Sequence, residues 1–527
     1  MTAAGTAPPE KKSWSDAIAA MIHPRALTML FLGFSAGLPI LLIFSTLSVW
    51  LREAGVERAT VTFFSWAALG YSFKFAWAPL IDRFPLPYLT VRMGRRRSWL
   101  LISQIALVIA MIWTSSFEPR NALVMTAIGA VLIGFSSATQ DIVIDAYRIE
   151  SADADMQSML SSMYIAGYRI GMLVAGAGSL WLADWWGTGT YDVSVWAKVY
   201  RVMAAMMIVG ITTTLIISEP VGNARKTSAF RSNSDYFRFV FVFLLAIGTF
   251  ICGFFLSKSL GRIYKTILMD QYGLVRPMAG FITEAGRLGF SLALSSLVTW
   301  GVIRVRVVTF AHIQETYVEP VADFFRRYGA MAVVIIALIG TYRISDILMG
   351  VIANVFYIDI GFTKSQIATF TKFWGLWATI GGGFIGGILS IRYGVMRILF
   401  LGAILAAATN VLFAYLAGQG PDEILLLTVI VADNGSAGLA AAAFVAYLSS
   451  LTSVSFTAMQ YAIFSSIMTL FPKILAGYSG SIVDSVGYES FFIGTAVIGI
   501  PVLFLILWAG RFTKTGNDPQ TGVTPNE

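Results

Sequence analysis

The chain has 527 residues, of which 57% are hydrophobic and 13% charged, with a mean hydropathy of +0.74. That composition excludes a water-soluble globule with a polar surface and indicates a membrane protein. The net charge is +8, but the basic residues lie at the ends of apolar runs rather than in one patch. This distribution argues against nucleic-acid binding and indicates membrane orientation.

Apolar runs long enough to cross about 30 Å of hydrocarbon as helices follow one another along the chain, without the alternation typical of a spanning β-barrel. They are 27–51, 59–81, 98–117, 121–147, 157–183, 199–218, 236–257, 286–303, 330–355, 366–390, 395–417, 424–449, 456–483 and 489–511. We therefore predict an all-α polytopic fold with about 14 spans. Its predicted parts are a leader (1–26), a six-helix bundle (27–218), a linker with two additional helices (219–329), a second six-helix bundle (330–511) and a tail (512–527).

The segment after the second run is strongly basic, with Arg92 and Arg97 among five arginines and Asp82 as its one acid. Short basic loops stay in the cytoplasm, so we expect both termini to be cytoplasmic. The basic residues within 258–287 would lie outside if both inserted runs cross the membrane. The topology of the inserted pair therefore stays open, with a partly interfacial position as the alternative.

An internal repeat is visible at an offset of about 300 residues, where Ser136–Tyr147 parallels Ser436–Tyr447. Two parallel repeats predict alternating access by rocking around a central site. The end of the second run, Ala78–Phe84 followed by Gly94–Arg97, is similar to the helix 2–3 loop signature of the major facilitator superfamily. It departs from that signature in Ala78, which stands in place of a glycine, and in an insertion before Gly94. This resemblance implies that Asp82, Arg83, Arg95 and Arg96 latch the cytoplasmic side; orientation charge alone would explain the arginines but not Asp82.

Ionisable groups inside the runs are the strongest site signal, because each costs at least about 2.5 to 3.5 kcal/mol on insertion scales. Asp141 and Asp145 are four residues apart, so they share a helix face and are within reach of Arg169 or Lys74. Burial disfavours a carboxylate anion and a nearby cation favours it, so such a group can bind and release a proton during alternating access. We assign Asp141, Asp145 and Asp346 to proton coupling, with Asp141 the preferred carrier.

Each assignment has a structural alternative. A permanent Asp–Arg tie would hold the fourth and fifth runs together, Asp145 would serve only as a gate or cap, and Arg343 would simply neutralise Asp346 three residues along the helix. Side chains able to bind an anionic solute share positive charge or neutral hydrogen-bonding capacity. The predicted substrate-binding residues are Lys74, Gln140, Arg169, Arg343, Lys372 and Asn434, while the role of Asp433 is left open.

Other chemistries lack their usual residues. Cys252 is the only cysteine, and His23 and His312 lie outside the core runs, so we expect no disulfide, metal or imidazole chemistry. A Gly-Lys dipeptide is absent from the sequence, which excludes a Walker A loop. We expect no cofactor and no enzymatic activity, with a gradient as the energy source.

Several stretches together resemble the AmpG muropeptide permeases of the major facilitator superfamily. They are Leu32–Pro39, Phe73–Arg83, Gln140–Ala146 and Gly167–Met172, and more loosely Phe324–Arg327, Asp346, Lys372–Leu376 and Ala443–Ala446. The resemblance implies proton-driven import of N-acetylglucosaminyl-1,6-anhydro-N-acetylmuramyl peptides across the inner membrane of a Gram-negative cell. It also implies roles in cell-wall recycling and β-lactamase induction; we expect a monomer.

Three alternatives remain. An acetyl-CoA carrier shares parts of the second-run and fourth-run signatures, although phosphates would call for stronger clustering of cations. A membrane enzyme acting on lipid-linked sugars would use Asp141 and Asp145 as acid, base or metal ligands. A sensor without transport activity would leave the charges at mid-depth unexplained.

Overall fold

The computed structural model describes residues 19–56, 64, 71, 73–153, 156–188, 190–220, 233–274, 276–305, 314–476 and 479–514, and its secondary structure there is helical. The α-helices are α1 (Pro24–Ile43), α2 (Ser45–Glu53), α3 (Ala78–Arg83), α4 (Leu89–Met93), α5 (Arg95–Ser115), α6 (Leu123–Ser151), α7 (Gln157–Leu173), α8 (Ser179–Trp186), α9 (Val193–Met206), α10 (Ile208–Ile216), α11 (Asn233–Leu256), α12 (Lys258–Asp270), α13 (Arg276–Arg304), α14 (Glu319–Tyr328), α15 (Met331–Thr341), α16 (Ile344–Asp359), α17 (Lys364–Ile367), α18 (Gly375–Tyr393), α19 (Val395–Gln419), α20 (Glu423–Leu451), α21 (Thr457–Ala476) and α22 (Ser479–Lys514). Short 3₁₀ turns are Ala20–Ile22, Lys74–Ala76 and Val454–Phe456, and π-helical turns are Val174–Gly178, Gln314–Val318 and Ala368–Trp374.

The helices long and apolar enough to cross a membrane number 10 in the described part of the chain, or up to 11 if the bent pair α11–α12 counts as one span. This confirms a polytopic helical membrane protein but not the predicted count of 14. The predicted span 59–81 lies mostly outside the described residues, and the apolar helix over Val454–Leu470 is shorter than a full span. In the predicted inserted pair, α11 covers nearly all of the run 236–257 and bends by 48° into α12, and α13 covers the run 286–303.

The described helices fall into two compact units, one within Met1–Arg225 and Phe324–Glu527 and the other within Lys226–Asp323. The first unit contains both predicted bundles, and the second contains α11, α12 and α13. We call residues up to 225 of the first unit the first half, and its residues from 324 the second half. The end of this unit that carries the loop from Asp82 to Arg97 is called the basic end.

The predicted repeat is present in the backbone. Helices α6 and α20 each have 29 residues, and they begin at Leu123 and Glu423, 300 positions apart. Helices α5 and α19 each follow a glycine with positive φ, Gly94 at 85° and Gly394 at 88°. The two halves therefore share their local geometry at the basic end, although the sequence similarity between them is weak.

Helices α1 and α7 cross in direct backbone contact because glycines line both sides of the crossing. A Cβ added to Gly37 would lie 2.1 Å from the carbonyl oxygen of Tyr168, and one added to Gly167 would lie 1.9 Å from that of Leu30. Small residues permit such close approach in a membrane, where packing rather than the hydrophobic effect drives helix association. This crossing fixes the position of α7, which carries Tyr164 and Arg169.

Apolar clusters lie away from these polar positions in the first half. Trp50 stacks on Trp196 with ring centroids 6.0 Å apart, and the hydroxyl of Tyr200 donates to the carbonyl oxygen of Leu42 at 2.6 Å. Buried aromatic side chains with satisfied polar atoms contribute strongly to packing. These contacts stabilise the apolar core of the first half.

Gly94 and Gly394 provide a matched test of the loop at the basic end. A Cβ on Gly94 would lie 2.3 Å from Cδ of Glu219, whose carboxylate accepts from the backbone N–H of Arg96 at 2.8 Å, whereas a Cβ on Gly394 meets nothing within 4 Å. Both Gly→Ala variants carry the cost of positive φ, about 1 kcal/mol. Gly94→Ala also displaces Glu219 and its cap on α5, adding roughly 0.5 to 2 kcal/mol. We expect thermal unfolding to begin at a lower temperature for Gly94→Ala than for Gly394→Ala; equal temperatures would contradict the capping role.

Candidate functional site

Asp82 joins the two halves at the basic end. It lies at the end of α3, and its carboxylate accepts from the backbone N–H groups of Ala458 and Met459 at 3.1 and 2.9 Å. These N–H groups belong to the first turn of α21 in the second half, where no intrahelical acceptor exists. Asp82 therefore caps a helix of the opposite half, and its negative charge also suits the positive end of the helix dipole.

Arg96 holds this cap in place. Its guanidinium bonds Oδ1 of Asp82 at 2.7 Å and Oε2 of Glu150 at 3.0 Å, and its side chain is only 1% exposed. The attraction of two carboxylates offsets much of the free-energy cost of removing the guanidinium from water. Asp82, Arg96, Glu150 and the first turn of α21 form what we call the latch.

The other predicted gate arginines surround the latch. Arg95 donates to the backbone carbonyl of Asp82, and the guanidinium of Arg83 lies 5.8 Å from the ring centroid of Phe456 in the second half. Arg97 donates to the carbonyls of Thr214 and Leu215 at the end of α10. The structure thus places all four predicted gate residues at the junction of the halves, where their role as a gate remains a prediction.

Lys74 lies in a 3₁₀ turn and is 6% exposed. Its Nζ is 3.8 Å from Oδ2 of Asp141 and 3.5 Å from Oδ2 of Asp145. The i, i+4 spacing on α6 brings both carboxylates to the same ammonium, and the hydroxyl of Tyr164 donates to Oδ1 of Asp141 at 2.9 Å. Of the two predicted partners for the carboxylates, the structure selects Lys74.

Arg148 connects this cluster to the second half. Its Nη2 lies 3.3 Å from Oδ1 of Asp145 and donates to Oγ of Ser449 at 3.3 Å, while the guanidinium lies 5.0 Å from the ring centroid of Tyr461. The residue is 1% exposed. Lys74, Asp141, Asp145 and Arg148 form what we call the central network, with two positive and two negative formal charges.

Arg148, Tyr164, Glu150 and Glu219 were missed by sequence reasoning. Arg148 and Glu150 lie near the end of α6, where charged residues are usual and carry little signal. The spacing of Asp145 and Arg148, three residues apart on one helix, was the available clue. A buried tyrosine has no comparable pattern.

Arg169 does not pair with Asp141, so the alternative of a permanent Asp–Arg tie between the fourth and fifth runs is not formed in this structure. Within the described residues, no carboxylate lies within 4.0 Å of its guanidinium, and α7 directs Tyr164 rather than Arg169 toward Asp141. Arg343 sits at a break between α15 and α16, and its Nε is 3.8 Å from Oδ2 of Asp346. Arg343 thus partly neutralises Asp346 three residues along the chain, as the structural alternative for this pair described, and both side chains are partly exposed.

The remaining predicted ligands are dispersed. Gln140 accepts from the hydroxyl of Ser35 at 3.1 Å, and its buried Nε2 has no partner in the described structure. Asn434 accepts from the hydroxyl of Thr379 at 3.2 Å. Lys372 lies in a π-helical turn, and its side chain is outside the described part of the structure. Asp433 accepts from the hydroxyl of Thr409 at 3.3 Å.

A cavity of about 1070 Å³ opens between the halves beside the latch. The first half contributes Arg25, Glu150 and Gln157 to its lining, and the second half contributes Ser390 and Ser449. Lys74, Asp141 and Asp145 of the central network do not line this cavity. Arg169 and Arg343 do not line it either. In the described part of the chain, no group of three or more His, Cys, Asp or Glu side chains is placed to hold a metal ion.

Comparisons with solved structures identify the fold. A solved structure of XylE aligns with a TM-score of 0.58 at 11% identity, covering 94% of this chain and 96% of that one. The Escherichia coli fucose:proton symporter FucP aligns with a TM-score of 0.53 at 10% identity, covering 94% and 99%. The chain, with its two repeated halves joined at the latch, shares the fold of these two solved structures.

Comparisons of sequence identify the family. The putative transporter AmpG 4 of Rickettsia conorii is 30% identical over 92% of this chain and 96% of its own length. The anhydromuropeptide permease of Escherichia coli K12 is 29% identical over 92% of this chain and 79% of its own length. A family model described as acetyl-coenzyme A transporter 1 matches residues 26–134. The chain belongs to the AmpG family of transporters and is not an enzyme.

The latch can be tested by comparing two capping aspartates. Asp82→Asn removes the charge that joins Arg96 to α21, so we expect the basic end to open more often. The matched control is Asp422→Asn. Asp422 caps α20 through the backbone N–H of Leu425, and this contact lies within one half. The reporter is Ala458→Cys in a Cys252→Ser background, labelled with a polar maleimide in purified protein. Loss of the negative charge at the N-terminus of α21 costs about 1 kcal/mol, so labelling should accelerate by roughly fivefold for Asp82→Asn alone. Equal acceleration in both variants would contradict the latch.

Proposed function

We propose that this protein is a proton-driven transporter that imports anhydro-muropeptides by alternating access. The central network carries the proposal, because it buries two carboxylates and two cations inside the helical bundle and links them to the opposite half through Arg148. Buried charges in a membrane bundle are costly and are retained where they serve a pathway or a proton relay. The relationship to a protein named anhydromuropeptide permease supports the choice of solute.

The network suggests how a proton could change the conformation. With both carboxylates ionised, Lys74 is shared between Asp141 and Asp145, and Arg148 is held by Asp145 while it contacts Ser449 and Tyr461. A proton on either carboxylate leaves two cations facing one anion. Their redistribution would weaken the contact of Arg148 with the second half and favour opening of the basic end.

The cations Arg169 and Arg343 suggest where an anionic solute binds. They belong to opposite halves, and Arg169 has no carboxylate partner within the described residues. A guanidinium binds a carboxylate through two parallel N–H donors, so a peptide carboxylate bridging them would draw the halves together. Gln140 and Asn434 would add hydrogen bonds from the same interior, and the cavity beside the latch would serve as the exit vestibule.

Orientation and biological role follow from the same proposal. We place the basic end in the cytoplasm, because its loop arginines match the positive-inside pattern, and both termini with it. The protein would then act in an inner membrane as a monomer, and its imported product would serve cell-wall recycling and β-lactamase induction.

Acetyl-CoA transport is the second candidate, because the matched family model carries that description over residues 26–134. Uptake of radiolabelled anhydro-muropeptide into proteoliposomes, with and without a protonophore, separates the candidates. We expect uptake that collapses with the gradient and is not competed by acetyl-CoA. Competition by acetyl-CoA with no muropeptide uptake would contradict the muropeptide assignment.

Asp141→Asn tests the coupling. The amide cannot carry the proton, so we expect uphill accumulation to be lost while exchange down a substrate gradient survives. The control is Asp359→Asn, at an exposed aspartate that accepts from Tyr488. Normal uphill uptake by Asp141→Asn would remove this residue from the coupling mechanism.

Arg169→Ala tests solute recognition. Loss of a charged hydrogen-bond donor should raise the half-saturating solute concentration by roughly tenfold to a hundredfold, measured in exchange assays that need no gradient. Arg169→Lys keeps the charge without the guanidinium fork, and we expect an intermediate value. An unchanged half-saturating concentration in both variants would argue against direct recognition by Arg169.

A further inference from the structure

Helix α12 in the second unit is separated from α11 by a bend of 48° at Ser257. It has 13 residues, which corresponds to about 20 Å at 1.5 Å per residue. That length is well short of the roughly 30 Å of hydrocarbon that a span must cross. The chain therefore leaves the direction of the apolar helix α11 and continues as a short separate helix.

The bend is held by Arg287 of α13. Its Nη2 donates to the carbonyl oxygen of Phe254 at 2.6 Å, its Nε donates to Oγ of Ser257 at 3.4 Å, and its guanidinium lies 4.2 Å from the ring centroid of Phe254. A cation at the end of a helix suits the free carbonyls and the negative pole of the dipole. Arg287 thus stabilises the bend through specific contacts with Phe254 and Ser257.

Gly261 allows α12 to pack closely against α13. A Cβ at this position would lie 2.6 Å from Cδ of Arg287 and 3.2 Å from Cγ2 of Thr283. The packed side of α12 is narrow, with Gly261 and Leu268 buried. The rest of its circumference is largely exposed, although the Nζ of Lys265 lies 3.5 Å from the position of a Cβ on Gly280 in α13.

Two different faces occupy that remaining circumference. Lys258, Arg262 and Lys265 follow the i, i+4, i+7 spacing of one helical stripe. Leu260 and Ile263, which are 66% and 59% exposed, project from the opposite side together with Ile267. A short helix with a basic stripe and an exposed apolar stripe has the pattern of helices that lie in the plane of a membrane interface.

We propose that α12 lies along the membrane–water interface and binds anionic phospholipid headgroups through Lys258, Arg262 and Lys265. The apolar stripe enters the boundary of the acyl chains, and the cations meet phosphate groups at the level of the headgroups. A water-soluble acidic partner would match the three cations but would leave Leu260 and Ile263 uncovered. The lipid surface matches both faces, and it accounts for basic residues in a segment where the orientation pattern did not predict them.

The first test measures lipid preference in the full-length protein. Purified protein in mixed micelles is titrated with fluorescent phosphatidylglycerol and, separately, with fluorescent phosphatidylcholine. We expect the variant with Lys258→Gln, Arg262→Gln and Lys265→Gln to bind phosphatidylglycerol at least about tenfold more weakly than the wild type. The charge-conserving variant with Lys258→Arg, Arg262→Lys and Lys265→Arg should keep the wild-type affinity.

The second test locates the helix and does not depend on affinity. Ile263→Cys in a Cys252→Ser background is labelled with an environment-sensitive fluorophore and reconstituted in vesicles of phosphatidylcholine with and without phosphatidylglycerol. We expect blue-shifted emission that is quenched by nitroxide lipids and strengthened by phosphatidylglycerol. Water-like emission in both kinds of vesicle, or equal phosphatidylglycerol binding by the neutral and wild-type proteins with matching unfolding temperatures, would overturn the proposal.

Discussion

A lysine buried in a membrane bundle requires compensation, and the position of Lys74 between Asp141 and Asp145 supplies it. Several kcal/mol are at stake for each unpaired charge in hydrocarbon, so none of these side chains is stable there alone. The constraint fixes the turn Lys74–Ala76 against α6, because a single ammonium must stay within reach of two carboxylates one helical turn apart. The rest of the site depends on this arrangement, since Asp145 also holds Arg148.

Arg148 connects the charges of the central network to the second half. The guanidinium is paired in the first half but touches Ser449 and Tyr461 in the second. A change in the charge of the carboxylates therefore alters contacts across the junction, near the latch formed by Asp82, Arg96 and Glu150. In the proposed mechanism, proton binding to the central network would therefore act on the same junction that the latch closes, as a rocking transporter requires.

Elements with a strong local pattern could be predicted from the sequence. Long apolar runs predicted most of the helices, the i, i+4 spacing of Asp141 and Asp145 predicted a shared face, and an aspartate at the end of the second run predicted a contact at the junction of the halves. The partner of Asp141 could not be chosen, because Lys74 and Arg169 are equally compatible with helical spacing. Only the glycine-lined crossing of α1 and α7, which directs Tyr164 toward Asp141, decides between them.

Tertiary contacts that join distant residues were beyond the sequence. The cap that Asp82 gives to Ala458 and Met459 spans more than 370 positions, and backbone donors carry no sequence signature. The bend at Ser257 was equally hidden, because hydropathy records the apolar run before it but not the arginine of α13 that satisfies its carbonyls. The predicted count of 14 spans is not confirmed, because the run 59–81 lies mostly outside the described residues and the apolar helix over Val454–Leu470 is shorter than a full span.

Proton movement driven by solute alone tests the central claim most directly. Proteoliposomes with no imposed gradient receive purified anhydro-muropeptide outside, and a pH-sensitive dye in the lightly buffered external medium is followed. The account predicts alkalinisation of the medium as solute and protons enter together, with no signal from vesicles containing Asp141→Asn. Entry of the solute without any change in external pH would contradict proton coupling through the central network.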